Sequence, residues 1–452
     1  MLPLLLVCGL ASPAWASSQV LVGEPVQVYQ APALDPLTMP TAVAVGPTGQ
    51  VWVADGVSDR VLEFDGTGAV VGHIEVVVGQ PLSNPTAVAA DQDGRLWIAD
   101  AGNARVVWVG PGPGDEGELP IDVALLPGLD ATGIGVSPEG DLLWVVDNEQ
   151  HRVLRCEVDA GVWAVMGSYG EGLGQVRHPF MVGVDPDGGA WVSDAINARI
   201  VGWSAEGDAQ RPISRFGVQP GRVFRPKGVA VQGDRIWVSD STLGVIQAFS
   251  PGGRLLDVLR DPQGRILHMD GPTGLAVHED RLFVVELMAH RVTELRIGTA
   301  VGQPYEAPAA SVVGAEGTEN QACSMCHLEM IPALARGAAD LLTTLPPNPL
   351  AEPYVSTEHA CLSCHDGSVM DSRRAVWAMH GHPLGEPIPD DMTVPANLPL
   401  VDGGMACRTC HSAHTEGGSG QIHRDALMLR VQTDTEELCV ACHGDMQKGG
   451  GK

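Results

Sequence analysis

Six times the chain repeats a short apolar run that ends on an acidic residue: VWVAD at Asp55, LWIAD at Asp100, LWVVD at Asp147, AWVSD at Asp194, IWVSD at Asp240 and LFVVE at Glu286. Each is preceded by a second strand-like run: PTAVAV from Pro40, PTAVAA from Pro85, DATGIGV from Asp130, PFMVGV from Pro179, PKGVAV from Pro226 and PTGLAV from Pro272. Turns such as GPTGQ, DQDGR and DPDGG separate the two runs, and their Gly and Asp residues suit a tight hairpin. An arginine opens a third strand after the acidic residue in five copies (Arg60, Arg105, Arg152, Arg199, Arg291), and Gly244 takes its place in the fifth copy. The copies recur every 45 to 49 residues. A sheet of about four short strands cannot bury its own faces, so units of this kind cover one another by stacking in a ring.

The pattern therefore predicts an all-β, six-bladed propeller, placed at residues 20–298. These repeats resemble the NHL-repeat family of β-propellers over Pro40 to Gly298. The sixth copy ends early at Leu295-Arg296-Ile297, and a ring needs its ends tied, so EPVQVYQAP, Glu24 to Pro32, is read as the outer strand that returns to close the last blade. Features that recur in nearly every copy belong to the scaffold. The acidic residues and arginines are expected to form turn and inter-blade ion pairs, and Trp52, Trp97, Trp144, Trp191 and Trp237 to be packing. Cys156 is expected to be a packed strand thiol and His178 a solvated loop residue. The position after each proline, expected to face the central channel, reads Thr41, Thr86, Ala131, Phe180, Lys227 and Thr273.

The first residues carry the apolar run Leu2 to Leu10, too short to span a bilayer, followed by Ala14-Trp15-Ala16; residues 1–16 are read as a cleaved signal peptide. No other segment is apolar and long enough to cross a membrane, so the mature chain is expected in the periplasm, outside the cell or at its surface. The net charge is -28, and only three lysines, Lys227, Lys448 and Lys452, stand among the 27 basic residues. Such a surface repels phosphate backbones, which argues against nucleic acid and favours a cationic partner.

After Gly298 the composition changes. Residues 299–322 are rich in Ala, Gly, Pro and Glu without periodicity and read as a linker. Residues 323–452 then hold eight of the ten cysteines, all in one pattern: CSMCH (Cys323, Cys326, His327), CLSCH (Cys361, Cys364, His365), CRTCH (Cys407, Cys410, His411) and CVACH (Cys439, Cys442, His443). Two cysteines three apart on a helical turn can form thioethers with the two vinyl groups of one haem, and the following imidazole reaches the iron as its proximal ligand. A single CxxC pair would also suit zinc or a redox dithiol. Fourfold recurrence, the invariable histidine and the export signal favour four covalently attached haem c groups.

Five further histidines, His359, His380, His382, His414 and His423, face four irons, which favours two histidines on each. His414, three after His411, lies on the wrong side of its turn to reach the same iron's other face, so it is assigned to a neighbouring haem. Residues Gln321 to Gly444 resemble the doubled-CxxCH multihaem cytochromes, on CLSCHDGSVMDSRR, the GHPLG around His382, LPLVDGGMACRTCHSAHT and LCVACH. The resemblance implies that His382 and His414 are distal ligands. His359 and His423 follow by elimination, with His380 competing against His382. CSMCHLEM lacks a histidine three after His327, and Met330 is an axial alternative there. A small domain of this composition, mostly helical or irregular, has a thin core, so the macrocycles should supply much of its interior.

The reading that follows is an electron-transfer cytochrome whose propeller docks a partner or spaces the haems. Its expected partner is a redox protein or an extracellular electron acceptor, and a homo-polymer joined through haem contacts is open. Two alternatives stand beside it. One is a multihaem reductase with an open iron. The other makes the propeller itself catalytic, like the zinc-dependent amidating lyase among NHL propellers, with His151 and His290 as the histidines that could reach inward.

Overall fold

A computed structural model describes residues 19–121, 126–217, 219–302, 366–368 and 373. Six antiparallel sheets stand in a ring. Blade 1 consists of Ala42–Val45, Val51–Asp55, Arg60–Phe64 and Val70–Ile74, ordered from the channel outward. Blades 2, 3 and 5 repeat this four-strand plan, with innermost strands Pro85–Ala90, Ala131–Val136 and Pro226–Gln232. Blade 4 has three strands, Pro179–Val184, Ala190–Asp194 and Arg199–Trp203, and its outer edge is completed by isolated bridges from Ile200 to Ile213 and from Trp203 to Ala209.

Blade 6 holds the closure. Its strands Pro272–His278, Arg281–Glu286 and Arg291–Val301 are joined on the outside by Gln19–Tyr29, from the other end of the propeller sequence. The pairing is antiparallel, Gln19 opposite Val301 and Tyr29 opposite Val292, with one irregularity between Pro25 and Gln27. Tyr29 is buried, its hydroxyl donates to Glu294 Oε2 at 2.7 Å, and burial together with that carboxylate lifts the phenol well above its ordinary range.

The hairpin turns follow from their composition. Gly94 sits at φ +82°, and Asp91 Oδ1 accepts the N–H groups of Asp93 and Arg95 at 3.1 and 2.9 Å. Between blades, the five repeat tryptophans are buried, and Phe283 fills the same place in blade 6. Cys156 is buried in its strand, where burial pushes the thiol up to about 12, the value of an inert packing residue.

In the five blades that carry both, the repeated acid and arginine pair within the blade, not between blades. Asp55, Asp100, Asp147 and Asp194 bind Nε of Arg60, Arg105, Arg152 and Arg199 at 2.7 to 2.9 Å, and Glu286 binds Arg291 at 2.8 Å, each across the hairpin joining strands two and three. The same carboxylates also hold the loop that enters the innermost strand: Thr38 N–H donates to Asp55 and Ser83 N–H to Asp100. Burial raises Asp194 to about 6 against the pull of the Arg177 N–H and Arg199.

Two positions differ from the sequence reading by one residue. In blade 5 the partner opposite Asp240 is Val245. Gly244 instead occupies the left-handed position (φ +66°) that Asp59, Ala104, His151, Ala198 and His290 take elsewhere. In blade 3 Ala131 lies opposite Asp147, as Pro85 lies opposite Asp100, so Ala131 replaces the proline and Thr132 takes the position assigned to Ala131.

Candidate functional site

The haem-attachment residues Cys323, Cys326, Cys361, Cys364, Cys407, Cys410, Cys439 and Cys442 lie outside the described residues. So do His327, His365, His411 and His443, and the candidate distal ligands His359, His380, His382, His414, His423 and Met330. The described residues do place the stretch just after His365, and they place it at the end of the channel where the innermost strands begin.

That end is built by a ring of bonds linking each blade to the next. Thr41 Oγ1 donates to Thr86 O at 2.6 Å, Thr86 Oγ1 donates to Ala131 O, and Thr132 Oγ1 donates to Phe180 O at 3.2 Å. In blades 4 and 5 the threonine is replaced by Phe180 and Lys227, and a serine on the second strand supplies the bond: Ser193 Oγ to Lys227 O and Ser239 Oγ to Thr273 O, both at 2.6 Å. Gly274 N–H to Thr41 O at 3.0 Å completes the circle. Below the ring the channel wall is apolar, with Ala42, Ala87, Ile134, Met181, Val229 and Leu275 contributed by successive blades.

Lys227 enters this ring fully buried, at 0% exposure, and a buried ammonium needs a partner. It has one: Nζ lies 2.9 Å from Asp366 Oδ2 and 3.0 Å from Oδ1, and it also donates to Ser368 Oγ. Its third face stands 5.3 Å from the ring of Phe180, a favourable cation–aromatic contact. Asp366, Gly367 and Ser368 form a tight turn in which Ser368 N–H donates to Asp366 Oδ1 at 3.1 Å and Gly367 takes φ +97°, a conformation costly for any side chain-bearing residue. Asn148 Nδ2 donates to Ser368 O at 2.9 Å, and Arg373, buried as well, donates to Asn84 Oδ1 at 3.1 Å.

The histidines are structural. His151 Nδ1 accepts the N–H of His178 in blade 4, and His290 Nδ1 accepts the N–H of Met39 in blade 1, both at 3.1 Å. These are inter-blade ties, each made through one ring nitrogen. His178 is not solvated. It is half-buried, pairs with Asn148 Oδ1 at 3.0 Å and meets His151 edge-on at 4.4 Å. Burial first, then the charges of His151 and Arg177, lower it to about 4; burial and Arg177 also lower His151. No group of three or more His, Cys, Asp or Glu able to hold a metal occurs among the described residues.

One further buried cation stands at this end. Arg225 immediately precedes Pro226, as Asn84 precedes Pro85, and is 1% exposed. Its Nη1 donates to Ala195 O at 3.2 Å, while Nε and Nη2 have no acceptor among the described residues. A buried guanidinium with two unmet donors has the chemistry to receive a carboxylate. The donor set of each CxxCH sequence, two thiols and an imidazole, fits covalently attached haem c.

Sequence reasoning placed Lys227 in the channel and missed its partner. The available signal was a lone lysine where four of the other five blades carry threonine.

Comparison with known proteins agrees in both halves. The NHL-repeat family model matches residues 82–109, and the doubled CXXCH motif model matches residues 399–448. No curated protein matches the chain. Among solved structures it is similar to a streptogramin B lyase (14% identity, 62% of this chain, 98% of the other, TM-score 0.45). It is also similar to virginiamycin B lyase from Staphylococcus aureus (16%, 65%, 90%, 0.44) and to Kuenenia stuttgartiensis hydrazine synthase (19%, 57%, 76%, 0.41). Among the described residues no helix is long and apolar enough to cross a membrane.

Proposed function

We propose that this chain, an NHL-repeat six-bladed propeller fused to a doubled-CXXCH haem segment, is an exported tetrahaem electron-transfer cytochrome. The observation that carries the reading is the doubled CXXCH motif over residues 399–448, which contains the third and fourth attachment sequences; the first and second, at Cys323–His327 and Cys361–His365, share their pattern. Covalently attached haem supplies a redox-active iron, and everything else falls to the chain. The paired cysteines would tether the haems, and His327, His365, His411 and His443, together with His359, His382, His414 and His423, would supply ligands to the irons.

The propeller contributes a rigid ring with a closed circle of hydrogen bonds at one end, to which residues just beyond His365 are bonded. Its role is to hold and present the haem segment to a partner, and the chain's net charge of -28 favours a cationic one. An intact-mass measurement with electron paramagnetic resonance tests the proposal. Four haems per chain, all low-spin and unresponsive to cyanide or nitrite, are expected. Fewer than four ends the tetrahaem reading, and a high-spin iron that binds nitrite makes the protein a reductase.

A further inference from the structure

We infer that the Asp366–Gly367–Ser368 turn is a plug that closes the propeller channel and opens on its own while the propeller stays folded. The plug is built only from the turn, Arg373 and the channel mouth, and its working does not depend on haem.

The mouth is covered. Thr41, Thr86, Thr132, Phe180, Lys227 and Thr273, one from each blade, are all 4% exposed or less, and so are Asp366, Ser368 and Arg373. The turn and Arg373 reach three blades, through Asn84 of blade 2, Asn148 of blade 3 and Lys227 of blade 5. Contacts spread this far around the ring put the turn across the channel and not against one blade. Blade 5 makes its inter-blade bond with Ser239, which leaves position 227 to serve the turn.

The balance of the contact is what makes it a plug and not a piece of the core. Taking an ammonium and a carboxylate out of water costs about as much as their attraction returns, unless their remaining sites are hydrogen-bonded. Asp366 Oδ1 accepts from Lys227 Nζ and from the Ser368 N–H, whereas Oδ2 lies 2.9 Å from Nζ and has no hydrogen-bond partner. The turn brings no large apolar side chain, and Gly367 is held at φ +97°. An ion pair left incomplete, with little apolar burial behind it, opens at lower free energy than sheets packed on buried tryptophans. Socket and plug are read as one chain: blade 6 ends at Val301, and residues 303–365 have a reach of up to roughly 200 Å at about 3.3 Å each.

Lys227 reports the state of the plug. The full-length protein as purified is treated with a small amine-acylating reagent across a urea series, and modification of Lys227 is read by peptide mass spectrometry beside the unfolding curve from circular dichroism. Lys227 is expected to be protected in buffer and to begin reacting below the unfolding transition, as the plug opens alone. Acylation that starts only with global unfolding would make the turn core and overturn the plug, and fast acylation in buffer would show an open mouth and do the same.

Two variants sharpen the test. Asp366→Ala/Ser368→Ala removes the side chains that meet Lys227. Gly367→Val keeps both but forces a β-branched residue to positive φ; space is not the obstacle there, since an added Cβ would stand 3.6 Å from Arg373 Nη2. Each is expected to raise the rate in buffer at least about tenfold while unfolding stays cooperative, and wild-type rates in both would overturn the plug. Protection that weakens on dilution would assign the turn to a second copy and end the intramolecular plug. Loss of haem stoichiometry counts against the cytochrome reading alone, because no step of the plug involves haem.

Discussion

Blades 1 to 3 and blades 4 to 5 solve one problem in two ways. The first group closes onto the next blade with a threonine on the innermost strand (Thr41, Thr86, Thr132), and the second with a serine on the neighbouring strand (Ser193, Ser239). The bond is therefore required by the ring, while the position that makes it is free to move. Where it has moved, the innermost position carries Phe180 and Lys227: Lys227 binds Asp366 and Ser368, and the Phe180 ring stands against its ammonium. A symmetrical scaffold has been made asymmetrical at one sector without opening its circle.

The largest test of this contrast removes the acidic anchor in each group. Asp100→Ala in blade 2 takes away the buried carboxylate of Arg105, leaving it the more exposed Glu118 and the carbonyls of Val77 and Gln80, and a loss of about 3–4 kcal/mol in denaturant unfolding is expected. Asp240→Ala in blade 5 strands no arginine, because Val245 stands opposite and the carboxylate serves the N–H groups of Phe224, Arg225 and Leu243. There a loss of about 2–3 kcal/mol is expected, and a reversed order would show that the ion pair is not what makes the anchor costly.

Next come the ring bonds. Ser239→Ala removes two buried bonds, to Thr273 O and from Gly228 N–H, and should cost about 2 kcal/mol. Thr41→Ala removes one and should cost about 1 kcal/mol. If Thr41→Ala proves the more damaging, the second-strand serines are incidental.

The smallest effect is one of pH. His178, at about 4, and His151, also lowered, bind protons less readily folded than unfolded, where the ordinary value is 6.5. Stability is thus unaffected above about pH 6.5 and falls as pH drops toward 4, since the unfolded chain takes up the protons. A decline of about 1–2 kcal/mol is expected, allowing for solvent around half-exposed rings. Repeating the pH series on His178→Gln should flatten it; an unchanged slope would trace the decline to other groups.

The number of blades, the all-β class, the tryptophan packing and the buried Cys156 were legible because each repeats with the period of the fold or sits in a strand of plain alternation. Register was less legible. Blade 3 lacks the proline, and aligning Asp130 with it displaced the channel position from Thr132 to Ala131; in a strand, a slip of one changes which face a residue occupies. The ion pairs were legible as pairs, but whether they run within or between blades depends on which strands are neighbours.

His151 and His290 could not be assigned at all from their neighbours in sequence. Each acts through Nδ1 on a backbone N–H of the next blade, 27 and 251 residues away. Lys227 and Asp366 are separated by 139 residues, and nothing local announces their meeting. The proposed haem ligands rest on motif spacing, which is chemistry written locally.

The strand Gln19–Tyr29 closes blade 6 against Arg291–Val301, and this imposes an order of events on a chain made from its amino end. The first strand must wait, unpaired, while almost the whole wheel is synthesised, and only then can the circle lock. Asp366 and Ser368 emerge later still, so the plug arrives at a finished socket. The turn that caps Lys227 thus belongs to a part of the chain that follows the whole wheel in sequence.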